Sequence, residues 1–443
     1  MRKHPILLGT MVLTLTGVIS RFIGFFYRIF LSHIFGETGM GIYQLAMPVM
    51  SLVFAITVSG ISQAVSKYVA EYTAKKEYQL AYHTFLTATL LSVALSVLCS
   101  VTLSLLSDEI SVHLLAEPRV TPLLTMMCIL FPLNSIHCCI NGYYYGLKKT
   151  AMPAVTQLIE QSVRVGSVFL LFYYAEQHYS ALTLSGCIAG LIIGEIAATL
   201  LSLFAVIRSL HQQHIRWLQL DGLRDTLLRL LTLSYPITLT RLVVTLLSSV
   251  EALLIPRALI RYGMSNTAAL GVYGVLTGMT LPLILFPSAL PSSASVLLLP
   301  VVSEADVSSN RQKIASVFYS SCKYTLLFGF LCCAGFFLLG PYAGELLFSS
   351  PLAGTYIRSM SFICPFLYLT TTLSGILHGL GKTRFTFLCN TSGLLIRLLF
   401  VIFLVPRFGM MAYLRGLLLF SLDICLLYFL ALRKYIGYNN TSK

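Results

Sequence analysis

The sequence predicts an all-α integral membrane protein of about twelve transmembrane helices, arranged as two six-helix bundles related as parallel repeats. Three observations predict it. Of the 443 residues, 57% are hydrophobic and 10% charged, with a mean hydropathy of +0.83, whereas a soluble chain averages about 25% charged residues. Apolar runs of about twenty residues or more, each long enough to cross a bilayer, recur along the whole chain. The two halves also carry one pattern at a nearly constant offset. No polar stretch is long enough to fold as a separate soluble domain.

The apolar runs place spans at 5–31, 41–66, 80–106, 120–145, 153–174, 181–207, 230–255, 268–302, 314–340, 353–378, 384–405 and 409–432. The opening MRKHPILLGTMVLTLTG superficially resembles a signal peptide. It runs too long, is followed by arginines within the same apolar run and lacks a small-residue cleavage site, so it reads as a retained first span. With the N-terminus inside, the inner segments hold seventeen Lys and Arg, and the outer ones four: Arg119, Arg257, Arg261 and Arg407. The positive-inside rule then expects both termini in the cytoplasm. The net charge of +14 is thus largely topology, and no nucleic-acid partner is expected. The eleven cysteines lie mostly inside apolar spans, without CxxC or metal-like spacing, and read as small buried hydrophobes.

NGYYYGLKKT (141–150) matches SGILHGLGKT (374–383) as G-x-x-x-G-L-x-K-T, at an offset of 233 that also carries Arg164 onto Arg397. SRF at Ser20 matches TRL at Thr240 at an offset of 220, and GIY at Gly41 matches GVY at Gly271 at 230. The offset changes where loops lie. Six spans per half bring the second half into the membrane from the same side as the first, so the axis relating them runs along the membrane normal. The expected organisation is a bundle at 1–207, a basic cytoplasmic linker at 208–229, and a second bundle at 230–443 ending in a short tail. Two such bundles enclose a central cavity, as in a transporter.

Charges inside spans are costly and usually face a bundle interior or a wet cavity. Arg21 and Arg28 lie seven residues apart, on one helical face. Arg241 occupies the place equivalent to Arg21 in the second half. None of the three has an acidic neighbour three or four residues away, and they are read as lining a cationic cavity. Arginine offers a planar fork matched to phosphate or carboxylate oxygens, so the cavity suits an anionic substrate. Glu160 and Arg164 are four apart and can pair with each other on one helix. Lys67, Lys323 and Arg358 lie near span ends, where snorkelling is the default. Glu251 is either a partner of the arginines across helices, or an ion or proton site. Pro282, Pro287, Pro291 and Pro300 crowd the eighth span, which therefore is not a plain rod.

Walker A, GxGxxG and HExxH patterns are missing, and the chain is not expected to be an enzyme. Energy must come from a gradient, a membrane potential or a partner. Glu304 and Asp306 read as a solvated loop pair. No metal site and no cofactor are expected, with Na+ or H+ coupling left open.

The stretches SRFIGFFYRIFLSHIFGETGMGIYQLAMPV, GISQAVSKYVAE, GLKKTAMPAVTQLIEQSVRV and YGVLTGMTLPLILFPSALPSSASVLLLPVVSEA resemble the stage V sporulation protein B branch of the polysaccharide-export flippases. That branch belongs to the multidrug/oligosaccharidyl-lipid/polysaccharide (MOP) exporter superfamily, with lipid II flippases and MATE drug exporters as relatives. The likeness covers nearly the whole chain. It implies a V-shaped pair of bundles in the bacterial cytoplasmic membrane, working by alternating access. The implied substrate is an undecaprenyl-diphosphate-linked oligosaccharide, a peptidoglycan or polysaccharide precursor turned from the inner to the outer leaflet, with a glycan polymerase as an expected partner. It puts diphosphate binding on Arg21, Arg28 and Arg241. Lys67, Glu160, Arg164, Glu251 and Arg397, read from their places in or at the ends of spans, are expected in secondary or structural roles. Many members of the branch have two further C-terminal helices that help form a lipid-tail groove, and this chain is expected to have twelve spans. The alternative is a MATE-like cation-coupled multidrug antiporter, which would want a net acidic cavity. A membrane glycosyl- or acyltransferase would want a catalytic acid or base in an extended outer loop, and the outer loops are short.

Overall fold

The computed structural model describes residues 5–179, 181–212 and 223–437, which form helices joined by short turns, with no strand among the described residues. The chain packs as two compact units. Unit 1 comprises Met1–Tyr27 and Ile42–Ser249, and unit 2 comprises Arg28–Gly41 and Val250–Lys443.

In chain order the first helices are α1 (Pro5–Phe54), α2 (Gly60–Ala74), α3 (Tyr78–Glu109), α4 (Thr121–Gly146), α5 (Ala151–Gln177), α6 (Leu184–Gln212) and α7 (Leu223–Arg261). There follow α8 (Asn266–Gly274), α9 (Leu281–Leu285), α10 (Ala289–Val307), α11 (Arg311–Phe348) and α12 (Pro351–Met360). The last four are α13 (Cys364–Gly379), α14 (Thr383–Leu399), α15 (Val405–Phe408) and α16 (Met410–Gly437). Among the described residues ten helical stretches are long and apolar enough to cross a membrane. The first, Val12–Ala74, holds two of the expected spans and is broken at Gly36, whose φ of 61° is a left-handed conformation that glycine adopts without steric cost. The less apolar α5 is 27 residues long and coincides with the expected fifth span. Counted so, the expected twelve are all present.

The expected proline disruption of the eighth span is found. Between α8 and α10 the chain passes through a π segment at Val275–Thr280, the short α9 and a 3-10 turn at Phe286–Ser288. The unit division, in contrast, falls within α7 rather than in the basic stretch at 208–229, of which 213–222 lie outside the described residues. The two ends of α7 hold different partners. Near its start, the Tyr68 hydroxyl donates to the Arg229 carbonyl at 3.1 Å. Past Ser249, Glu251 is tied to residues of α14 and α16.

The internal repeat reappears in the packing. In unit 1 the core joins Val69 of α2, Phe85 of α3, and Ile140 and Tyr143 of α4. In unit 2 it joins Val302 of α10, Phe318 of α11, and Leu373 and Ile376 of α13. Each of these residues lies 233 positions beyond its counterpart. The glycines of the repeated motif explain why it recurs. A Cβ on Gly142 would stand 2.6 Å from the Ser62 carbonyl oxygen, and one on Gly375 would stand 2.7 Å from that of Ser295. Gly146 meets Ser66 and Val69 in the same way that Gly379 meets Leu299 and Val302. Between helices in lipid, where burial from water supplies no drive, such close backbone approach supplies the van der Waals contact.

Gly142→Ala or Gly375→Ala should therefore force the paired helices apart, at a cost of about 1–3 kcal/mol typical of overpacking. Gly166→Ala, with nothing within 4 Å of its Cβ position, should be neutral or mildly stabilising. Melting temperatures of the purified variants in one detergent would check this, and equal temperatures for all three would contradict the packing role.

Candidate functional site

Three polar sites lie within the membrane-spanning helices. The first is a cavity of about 500 Å³ in unit 1, where α1, α2, α4 and α7 meet. Arg241 lines it together with Ser59, Ser62, Gln63, Asn134 and Thr245. The local cause is the π segment Ala55–Ser59 between α1 and α2. Within it, Thr57 and Ser59 turn their hydroxyls back onto the carbonyls of Val53 and Ala55, each at 2.8 Å. No acidic residue lines this cavity among the described residues. It offers one guanidinium, two side-chain amides and the hydroxyls of Ser51 and Thr245, those of Ser59 and Ser62 already donating to backbone carbonyls; the guanidinium and amide donors suit an anion.

Arg21 also belongs to unit 1 and is exposed, though outside that lining. Arg28 belongs to unit 2, is half-buried, and donates from Nη1 to the Thr277 carbonyl at 3.3 Å. Lys67 is exposed, with its ammonium 5.8 Å from the centre of the Tyr68 ring.

The second site, in unit 2, answers the question left open for Glu251. Its partner is Arg397. Arg397 Nε donates to Oε1 and Nη2 approaches Oε2, both at 2.9 Å, which is a two-pronged fork. The Tyr413 hydroxyl donates to Glu251 Oε1 at 2.8 Å and accepts from Arg397 Nη2 at 3.1 Å. Glu251 is 3% exposed, and the guanidinium carbon lies 5.3 Å from the centre of the Phe420 ring. Both charges are thus satisfied inside the unit.

In the third site the expected Glu160–Arg164 pair is not formed. Arg164 instead donates to the neighbouring Gln161 side chain and lies 5.8 Å from the centre of the Tyr27 ring. A Cβ on Gly194 would stand 2.7 Å from the Glu160 carbonyl oxygen and 2.9 Å from Arg164 Cβ, so α6 packs closely against this stretch of α5. Around Glu160 the structure gathers two residues that the sequence reading did not select, His137 of α4 and Glu195 of α6. The His137 Nδ1 to Glu195 Oε1 distance is 2.9 Å. All three offer ligand-type atoms within 4.8 Å of one another, the one such grouping among the described residues. A histidine inside an apolar span was the available signal, but its partners come from other helices.

The helix order and the repeated core define a multi-pass helical membrane protein. Solved structures agree on the fold. An inward-facing multidrug resistance MATE family transporter of the MOP superfamily superposes with a TM-score of 0.76 at 14% identity, over 96% of both chains. A MOP superfamily transporter from Pyrococcus furiosus, described as having a binding pocket of reversed polarity, gives 0.69 at 15% identity over 98% of this chain and 97% of that one. The chain belongs to the polysaccharide biosynthesis protein family, which matches residues 6–306. Among relatives in Bacillus subtilis, stage V sporulation protein B is 25% identical over 93% of this chain and 80% of its own length. The lipid II flippase MurJ is 23% identical over 99% of this chain and 84% of its own.

Removing one half of a buried ion pair strands the other, at a cost of about 3–5 kcal/mol. Arg397→Met should therefore lower the melting temperature sharply, and adding Glu251→Gln should recover most of the loss. A double variant no more stable than Arg397→Met would show that the pair does not act as a unit.

Proposed function

We propose that the protein is a flippase for an anionic lipid-linked oligosaccharide of the polyprenyl-diphosphate type, moved from the inner to the outer leaflet by alternating access. The observation that carries this reading is the Arg241 cavity, a guanidinium among amides and hydroxyls with no lining carboxylate. A diphosphate presents several oxygens to such a wall, and each charge-assisted hydrogen bond contributes about 1.5–3 kcal/mol. Arg21 and Arg28 are further candidates for contact with an anion, each within its own unit. The relation to a lipid II flippase and to the polysaccharide biosynthesis family favours the same substrate class. A drug-cation antiporter would need carboxylates facing its substrate; none lines the Arg241 cavity among the described residues, and Glu251 is already paired with Arg397.

The membrane potential can supply direction. With both termini in the cytoplasm, as the excess of inner lysine and arginine implies, the substrate leaves a negative interior. Each negative charge carried outward then gains about 2.3 kcal/mol per 100 mV. The protein would do no covalent chemistry and would receive its lipid from cytoplasmic enzymes, with a glycan polymerase as the consumer outside.

Binding of a labelled polyprenyl-diphosphate lipid to the purified protein tests this. The wild type should bind saturably, and Arg241→Ala should weaken binding about tenfold or more, the equivalent of one lost charge-assisted contact. Arg358→Ala, whose guanidinium stacks 4.6 Å from the Phe337 ring centre in unit 2, should bind like the wild type. Tight binding of an organic cation by a wild type that ignores the lipid would overturn the proposal in favour of the drug antiporter.

A further inference from the structure

The Arg241 cavity belongs to unit 1, and unit 2 holds a larger one that the flippase reading does not use. It measures about 670 Å³, within the range of small-ligand sites. Leu377 of α13, Leu380 just beyond it and Phe385 of α14 supply apolar lining, and Lys382, Lys434 and Tyr435 stand among them. The turn between α13 and α14 fixes Lys382. Gly381 there has a φ of 69°, and the Lys382 amide donates to the Leu377 carbonyl at 2.9 Å. Lys434 comes from the last turn of α16. Both lysines lie at the end of unit 2 that the positive-inside rule is expected to place in the cytoplasm.

Positive charge gathers around this cavity. No acidic residue lines it, and neither lysine has an ion-pair partner among the described residues. The Lys382 ammonium lies 5.7 Å from the centre of the Tyr435 ring, and the Arg311 guanidinium carbon lies 4.2 Å from the same ring. Arg311 Nη1 is buried without a hydrogen-bond partner. The nearby carboxylate of Asp306 is already engaged, accepting from the Tyr435 hydroxyl at 2.5 Å. One turn deeper along the spans the surface becomes apolar. Leu388 lies three residues past Phe385 on α14, and Leu430 lies four before Lys434 on α16, so each shares a helical face with its partner. The two leucines are 63% and 48% exposed.

We propose that this cavity binds an anionic phospholipid of the inner leaflet, with its phosphate held by Lys382 and Lys434 and an acyl chain laid along Leu388 and Leu430. Two ammonium groups complement a phosphate diester, and a basic pocket between spanning helices on the cytoplasmic side suits such a headgroup. A free anion would use the lysines and leave the apolar lining empty. An acidic peptide would have to carry its backbone down to the exposed leucines, where hydrocarbon leaves its polar groups unsatisfied. The bound lipid would tie the α13–α14 turn to the end of α16, so that the stability of unit 2 responds to the charge of the leaflet around it. The site lies within one unit and stands whatever the cargo is.

Binding of fluorescent phosphatidylglycerol to the purified full chain in an uncharged detergent tests this, with phosphatidylcholine as the reference. The wild type should prefer the anionic lipid. Combining Lys382→Gln with Lys434→Gln should weaken its binding about tenfold or more, towards the phosphatidylcholine value, as the loss of two lysines near the membrane surface implies. Lys382→Arg with Lys434→Arg keeps both charges and should keep the binding, which separates a lost contact from a folding defect. Lys149→Gln, at the equivalent place in the first repeat, should bind like the wild type. Phosphatidylglycerol binding that survives the double glutamine change would overturn the site. Displacement of the label by inorganic phosphate alone would overturn the lipid in favour of a free anion. Displacement by a polyprenyl-diphosphate lipid and not by unlabelled phosphatidylglycerol would overturn it in favour of the cargo.

Discussion

Helices in a bilayer are drawn together by contact rather than by burial from water, and this protein depends on how closely its backbones can approach. At Gly142 and Gly146 the fourth helix lies against the carbonyls of Ser62 and Ser66; at Gly375 and Gly379 the same arrangement forms against Ser295 and Leu299. The glycines contribute no side chain at these points, and in unit 1 the Ser62 hydroxyl also donates across to the Cys138 carbonyl at 2.8 Å. The aromatic and aliphatic residues that fill the rest of each core, Phe85 with Tyr143 and Phe318 with Phe429, are positioned by those contacts.

The same close packing decides what the charges can do. A bundle held by small residues has little room, so each ionisable group is either matched locally or left facing a cavity. Glu251, Arg397 and Tyr413 show the first solution, with the charged oxygens and the guanidinium fork engaged. Arg241 shows the second, exposed to a wall of hydroxyls and amides. His137, Glu160 and Glu195 stand between the two, close together inside unit 1.

Symmetry of sequence is not symmetry of role. Arg164 and Arg397 occupy equivalent positions, and several core residues of the two units correspond at the same offset of 233. Yet one guanidinium clasps a carboxylate from another helix while the other rests on an aromatic ring. The difference arises from what the neighbouring helices contribute: a glutamate from the seventh helix in one unit, a tyrosine from the first in the other.

The membrane class, the spans, the duplicated design and the disrupted eighth span were all legible in the sequence, because each depends on local composition or on a pattern repeated along the chain. Apolar length sets a span, proline removes a backbone donor, and G-x-x-x-G spacing puts two small residues on one helical face. The partner of Glu251, the disengagement of Arg164 from Glu160, and the meeting of His137 with Glu195 were not legible. Arg397 lies 146 residues from Glu251 and Glu195 lies 58 from His137, so neither pairing leaves a trace in local spacing. The i, i+4 rule favoured Glu160 with Arg164, and contacts of Arg164 with Gln161 and the Tyr27 ring took its place. The division of the chain inside the seventh helix was likewise a tertiary matter, since a continuous helix gives no local sign of where its packing partners change.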